Sequence, residues 1–277
     1  MKRAIVILAL LLSMSSTHAR AGVEKLYILN CGEGTAGDIS RWSPGVDEGK
    51  SMDFVDNCYL IKHTQGWFLW DTGIPDAVAA MPNGLAPADP RSVTWKRPRT
   101  LISQLEQLGV KPADVKAMAV SHTHPDHIGN VEMFPAAMLY VQRAEHEWPG
   151  ANNQPRFKPE HPVTLLDGDR DVFGDGSIVI LSTPGHTPGH QSLLVKLPKT
   201  GEVVLSGDAV HFKSNWDLSM ARSLRILEVL SRRYQISESR LHIASYGPYR
   251  PQGPNNTADG RARNRRVEII ISGEAVH

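Results

Sequence analysis

The run Ser121-His122-Thr123-His124-Pro125-Asp126-His127, which follows directly on an apolar segment at 118–120, constrains this chain more than any other feature. A strand splays alternate side chains to opposite faces, so ligand-type groups packed this closely can converge only if the strand stops and a sharp loop begins. Neutral imidazole and carboxylate are good ligands for zinc, and four of them fall within six positions here. The spacing therefore predicts a metal site at a strand end.

Two further segments point the same way. Thr183-Pro184-Gly185-His186-Thr187-Pro188-Gly189-His190 also follows an apolar strand, and its prolines and glycines fix a tight loop that can hold one imidazole inward. His186 is the candidate ligand, whereas His190 is expected to orient the loop or cap a strand. Asp208 ends another apolar run between small residues, where a carboxylate can bridge two ions at close range.

Along the chain, apolar runs at 26–29, 57–61 and 67–70 read as strands punctuated by Gly and Pro, the last running into Asp71-Thr72-Gly73. Residues 74–98 carry Pro75, Pro82, Pro87 and Pro90 and no helical period, and are expected to form a long loop over one face. A helix at 100–108, strands at 117–120 and 138–141, and a helix from Arg143 follow. A second series of strands is predicted at 163–166, 177–181, 191–195 and 202–205. This alternation indicates a layered α/β architecture.

Composition bounds less. A chain of 277 residues can bury a full core, and a formal charge of +1 gives no field to steer it toward nucleic acid. Met1-Lys2-Arg3, an apolar run at 4–14 and Ala19-Arg20-Ala21 have the order of a secretory signal, with cleavage expected after Ala21 and a periplasmic or secreted product. No segment after that cleavage is expected to span a membrane. Cys31 and Cys58 are either a disulfide, which export would permit, or two half-buried thiols in adjacent strands.

The order His122, His124, Asp126, His127, then His186, then Asp208 resembles the metallo-β-lactamase superfamily. Cys58-Tyr59-Leu60-Ile61, Leu69-Trp70-Asp71-Thr72-Gly73 and the segment 183–192 are most similar to the N-acyl homoserine lactonases. The resemblance covers residues 24 to about 213 and implies an αββα sandwich over 22–213. It implies that His122, His124 and His186 hold one zinc, that Asp126 and His127 hold a second, and that Asp208 bridges them. Asp71 would support the ligands from behind. The implied activity is metal-assisted opening of a lactone ring, with Asp126 relaying a proton to the leaving alkoxide. His211 stands where the family often has a catalytic tyrosine, so a role in polarising the carbonyl follows from placement alone, a core or surface histidine being the alternative. Asp208 replaces the cysteine of the best-known zinc β-lactamase subclass, which counts against penicillin-like substrates. Another ester, thioester or phosphoester is the alternative substrate class.

The last 64 residues hold ten Arg and no Lys, against nine Arg and eleven Lys before them. Apolar positions at 218, 221, 224, 227 and 230 predict an amphipathic helix, and 241–246 and 266–271 read as strands. The segments 215–223, 244–247 and 255–269 resemble the back half of OmpA-like peptidoglycan-binding domains, in which the residue matching Arg222 contacts the cell-wall peptide. The expected organisation is thus a signal at 1–21, a C-terminally truncated hydrolase at 22–213 and an OmpA-like helix-strand-strand fragment at 214–277. That fragment would replace the lactonase segment carrying a last histidine to the second metal, leaving that site one ligand short unless His242 substitutes. If the fragment instead completes the first domain, its helix packs on the vacant sheet face and 241–246 completes the edge. A peptidoglycan-binding module with a damaged hydrolase part is the remaining alternative.

Overall fold

The structure, a computed structural model, describes residues 22–42, 48–150, 153–209, 232, 241–244 and 268–271. Its first sheet has seven strands. β1 (Val23–Ala36), β2 (Met52–His63) and β3 (Gly66–Trp70) form an antiparallel meander, and β5 (Val115–Ala119), β6 (Met138–Gln142) and β7 (Val163–Leu166) continue it in parallel. β4 (Val93–Lys96) adds to the far edge beside β1, giving the order β4-β1-β2-β3-β5-β6-β7. The expected loop at 74–98 is therefore corrected in part. It contains a 3-10 turn at Asp76–Ala80 and β4, whose Thr94 and Trp95 pair with Thr35 and Gly34.

A second, antiparallel sheet has the order β11-β10-β9-β8, from β8 (Arg170–Asp171), β9 (Ile178–Ser182), β10 (Gln191–Leu197) and β11 (Gly201–Leu205). Phe68, Trp70, Ala117 and Ala119 of the first sheet pack on Ile178, Ile180, Leu193 and Val195 of the second. Burying each of the large side chains in this layer contributes roughly 1.5–3 kcal/mol. Val179 and Leu194, which alternate with these residues and so face the other way, are buried too.

The other face of the first sheet is covered by α1 (Leu101–Gln107). Thr100 caps this helix by accepting from Ser103 N at 3.0 Å, and the Asp76 carboxylate accepts from Leu101 N at 2.7 Å. Leu101 and Leu105, one turn apart, enter the core with Leu60, Leu69 and Met118. The described residues thus show a helix layer and two sheets of the expected αββα sandwich.

Of the tail, β12 (Leu241–Ala244) and β13 (Glu268–Ile271) pair antiparallel as a two-stranded sheet, and Cα atoms of β13 come within 8 Å of β11. The predicted edge strand thus pairs with β13. The predicted helix from Leu218, together with His211 and Arg222, lies outside the described residues.

Cys31 and Cys58, on the paired strands β1 and β2, form a fully buried disulfide with Cα atoms 5.7 Å apart. Of the two readings of these cysteines, the half-buried thiols are excluded.

Candidate metal centre

The parallel register of β3, β5 and β6 sets where the site forms. Trp70 lies opposite Ala119, and Ala119 opposite Tyr140, so β3 and β5 end together, β6 ends two residues further on, and their following residues share one edge. Asp71 follows β3, Ser121–His127 follow β5, and Arg143 begins α3 (Arg143–His146) after β6. From the second sheet, β9 runs into the loop 183–190 and β11 into Asp208. Gln191 stitches the two sheets at this end, its backbone N–H donating to Ser121 O at 2.8 Å and its side-chain amide to Val120 O at 2.8 Å.

Four of the six sequence-predicted ligands converge as one group: His122, His124, His186 and Asp208. His122 Nε2 lies 2.8 Å from His124 Nδ1 and 3.1 Å from His186 Nε2, and the last two are 3.0 Å apart. Three ring nitrogens at mutual hydrogen-bond distance cannot each donate along both sides of a triangle, since a ring nitrogen has one in-plane direction. They can all direct lone pairs at a common centre. Asp208 Oδ2 stands 3.9 Å from His122 Nε2 and 3.6 Å from His186 Nε2. Donor atoms of a tetrahedral zinc with bonds near 2.05 Å are about 3.3 Å apart, so the donor set fits such an ion.

Asp126 and His127 stand beside this group and share Asp208 with it. His127 Nε2 lies 3.5 Å from Asp208 Oδ1 and 3.8 Å from Asp126 Oδ2. The expected single loop is here two pieces: His122 to His124 are irregular, whereas Asp126 and His127 fall in a one-turn helix, α2 (Pro125–Ile128). Proline at the first helical position suits that start.

Asp71 lies behind this second group. Its Oδ2 is 3.1 Å from His127 Nδ1 and its Oδ1 accepts from Ser121 N at 2.6 Å. Asp71 has φ 59°, a left-handed conformation that few non-glycine residues adopt. Asn130 holds the same turn, donating to Thr72 O at 2.6 Å and Ile74 O at 2.7 Å. His190 does not join the ligands. Its Nδ1 sits 2.9 Å from Thr183 Oγ1, consistent with the loop-orienting role expected for it.

Charge follows geometry. Burial pushes His122 well below the ordinary imidazole range, and pulls His124 down as well. Burial alone would lower His127 too, but the carboxylates of Asp71, Asp208 and Asp126 outweigh it and hold His127 well above that range. Burial raises the Asp126 carboxyl.

Residues 53–235 match the family described as Metallo-beta-lactamase superfamily. The chain belongs to that superfamily. The match runs past residue 213, where the resemblance read from the sequence was expected to end. Among its superfamily relatives, N-acyl homoserine lactonase AttM of Azorhizobium caulinodans is 34% identical over 174 residues, 57% of this chain and 66% of the relative. The chain thus spans just under two thirds of the length of AttM. N-acyl homoserine lactonase of Bacillus sp is 31% identical over 202 residues, 70% of this chain and 79% of the relative. A solved metallo-beta-lactamase-fold structure, an N-acyl homoserine lactone hydrolase with N-hexanoyl-L-homoserine bound at its catalytic metal centre, superposes with TM-score 0.63 at 26% identity, covering 77% of this chain and 91% of that one. AidC, a dizinc quorum-quenching lactonase, shares the fold at TM-score 0.54 and 19% identity.

Sequence reading missed two residues at this metallo-beta-lactamase site. Glu145 is fully buried between the two histidine loops. Trp148 places its ring 5.9 Å from that of His124, with the Arg156 guanidinium 4.6 Å from the indole centroid. Glu145 lies in the one-turn helix α3, too short to carry a periodicity, and Trp148 lies just beyond it.

Proposed function

We propose that this chain is a metal-dependent hydrolase that opens the lactone ring of N-acyl homoserine lactones. The observation that carries the reading is the convergence of His122, His124, His186 and Asp208 in a chain whose relatives are N-acyl homoserine lactonases. His122, His124, His186 and Asp208 Oδ2 would hold one zinc ion, and Asp126, His127 and Asp208 Oδ1 the other. Ions bound there would act as Lewis acids and bring the pKa of a water toward neutrality.

The chain's own groups do the rest. Depressed pKa values keep His122 and His124 neutral, the form that offers a lone pair. Asp71 orients His127 through Nδ1, which leaves Nε2 facing the cleft. Asp126, with its carboxyl raised by burial, is suited to take a proton from the attacking water and pass it to the alkoxide as the acyl C–O bond breaks. The water oxygen ends in the new carboxylate and the ring oxygen becomes a hydroxyl. His211 is assigned to polarise the carbonyl on its position after Asp208. For the acyl chain, Met81 and Leu85 offer an apolar surface on the segment following the Asp71 turn, at 42% and 44% exposure.

Two further readings complete the proposal. Export to the periplasm or medium is supported by the Cys31-Cys58 disulfide, since such bonds persist in oxidising compartments. A weak peptidoglycan contact through Arg222 rests on the resemblance of the tail's sequence to OmpA-like domains alone. A pull-down on cell-wall sacculi tests the latter, and an Arg222→Ala chain retained equally well would overturn it.

The test of the central activity is incubation of the zinc-supplied full chain with N-hexanoyl-L-homoserine lactone, following proton release and product mass. Ring-opened product that disappears with a chelator and returns with zinc supports the reading. Turnover of a phosphodiester or thioester panel with the lactone untouched would overturn the substrate class.

A further inference from the structure

Glu145 belongs to neither ligand group, yet the two histidine loops meet at its carboxylate. Its Oε1 accepts from Thr123 N and from Thr123 Oγ1, both at 2.7 Å, while Oε2 accepts from Gly189 N at 2.9 Å. Thr123 lies between His122 and His124, and Gly189 lies three residues beyond His186. One fully buried carboxylate thus bridges a loop of the first sheet to a loop of the second, inside the ligand-bearing segments themselves. Leaving such a carboxylate in an apolar interior is costly unless it is hydrogen-bonded, and charge-assisted bonds are the strong ones. Gly189 presses so closely on Glu145 that a Cβ there would stand 2.3 Å from Glu145 N, so the second loop lies directly against the backbone that presents the carboxylate. The Asp126/His127 pair is held differently, by Asp71 and by the Thr72 N–H that donates to His127 O at 2.8 Å.

We propose that Glu145 is the positioning residue for the His122/His124/His186 group, fixing the separation of its two loops, and that it does not position the Asp126/His127 pair. The assignment rests on the metal-centre reading above. Asp71 stands behind His127 and, through Ser121, also touches the loop of His122, and Asp208 is common to both groups, whereas Glu145 touches the loops of the first group only. A merely structural Glu145 would affect both groups alike. In Glu145→Gln one oxygen remains for Thr123, but the amide then turns a donor toward Gly189 N–H, so the bridge opens on one side.

The experiment is a zinc titration of the metal-free full chain against a chromophoric chelator, resolving the two binding steps. Cobalt spectra of the same chains report ligand geometry. Glu145→Gln is expected to weaken one step by about 10–100-fold and to leave unchanged the step that Asp71→Asn weakens more, with an altered cobalt spectrum. Equal weakening of both steps, or of neither, overturns the assignment while leaving the metal centre standing. Failure of the unsubstituted chain to bind zinc overturns the metal centre and the assignment with it. Should Glu145→Gln not fold, Thr123→Val, which removes one of the three bonds and keeps the carboxylate, is to weaken the same step to a smaller degree. No change in Thr123→Val then overturns the proposal.

Discussion

Asp71 shows how much a single side chain is asked to do here. It sits in a left-handed backbone conformation, is almost fully buried, and serves both Ser121 N and His127 Nδ1. Asn tolerates that conformation almost as well as Asp, so Asp71→Asn removes the charge without adding backbone strain. The expected result is a loss of about 10–100-fold in affinity for the ion proposed to bind at His127, measured by chelator competition, with little change in the melting of the metal-free chain. His190 gives a pH prediction. Burial lowers it to about 4, below the roughly 6.5 of an unfolded histidine, so the unfolded chain takes up the proton first. Stability from this group is complete above about pH 6.5 and declines as pH falls toward 4, by on the order of 3 kcal/mol. Urea denaturation of the metal-free chain across that window should therefore show a shallower acid loss in His190→Gln than in the parent. Matching slopes would contradict it. Every proposed ligand up to Asp208 was legible in the sequence because the ligands are local: clusters within a few positions, each after an apolar run. Glu145 was not, because its partners lie 22 and 44 residues away and nothing in its own neighbourhood signals them.

Among the elements, the strands with continuous apolar sequence were the most legible, because both of their faces are covered. β3 and β9 show this, with Phe68 to Trp70 and Ile178 to Leu181 all buried. β4 was not, since Val93–Lys96 is a half-buried edge strand in a proline-rich stretch and owes its form to pairing with β1. The ends of β1 and β2 were also hidden, since their long twisted hairpin extends past the apolar runs into polar positions. The disulfide ties this hairpin together directly behind the site. Cys31 O accepts from Ile74 N at 3.2 Å, just past the Asp71 turn. Closing a span of 27 residues, the bond should stabilise the chain by about 2–4 kcal/mol. A Cys31→Ala, Cys58→Ala double substitution is expected to lower the urea midpoint, with a somewhat steeper slope as the untied unfolded chain exposes more surface. An unchanged midpoint would show that the pairing of β1 with β2 needs no covalent tie.

At the scale of the whole molecule, the site joins two sheets whose strand ends are otherwise stitched mainly by Gln191 and Glu145. A metal held by ligands from both sheets should therefore act as a further cross-link on the folded state only. At a free zinc concentration about 100-fold above the dissociation constant, linkage adds about 2.7 kcal/mol, which raises Tm by roughly 5–10 °C for a domain of this size. A scan of the chelator-treated chain with and without zinc checks this, and an identical Tm would contradict a site that spans the sheets. The order of layers was legible from the alternation of strand and helix. The tail was less so, because a resemblance to half of another domain does not say what its strands pair with, and β12 and β13 pair with each other beside β11. The central claim is that these loops build a two-metal hydrolytic centre, and zinc bound per chain after purification and exhaustive dialysis tests it most directly. A ratio near two, falling toward one when His186 is replaced by Ala, is the predicted result. A ratio of one or less in the unsubstituted chain would contradict it.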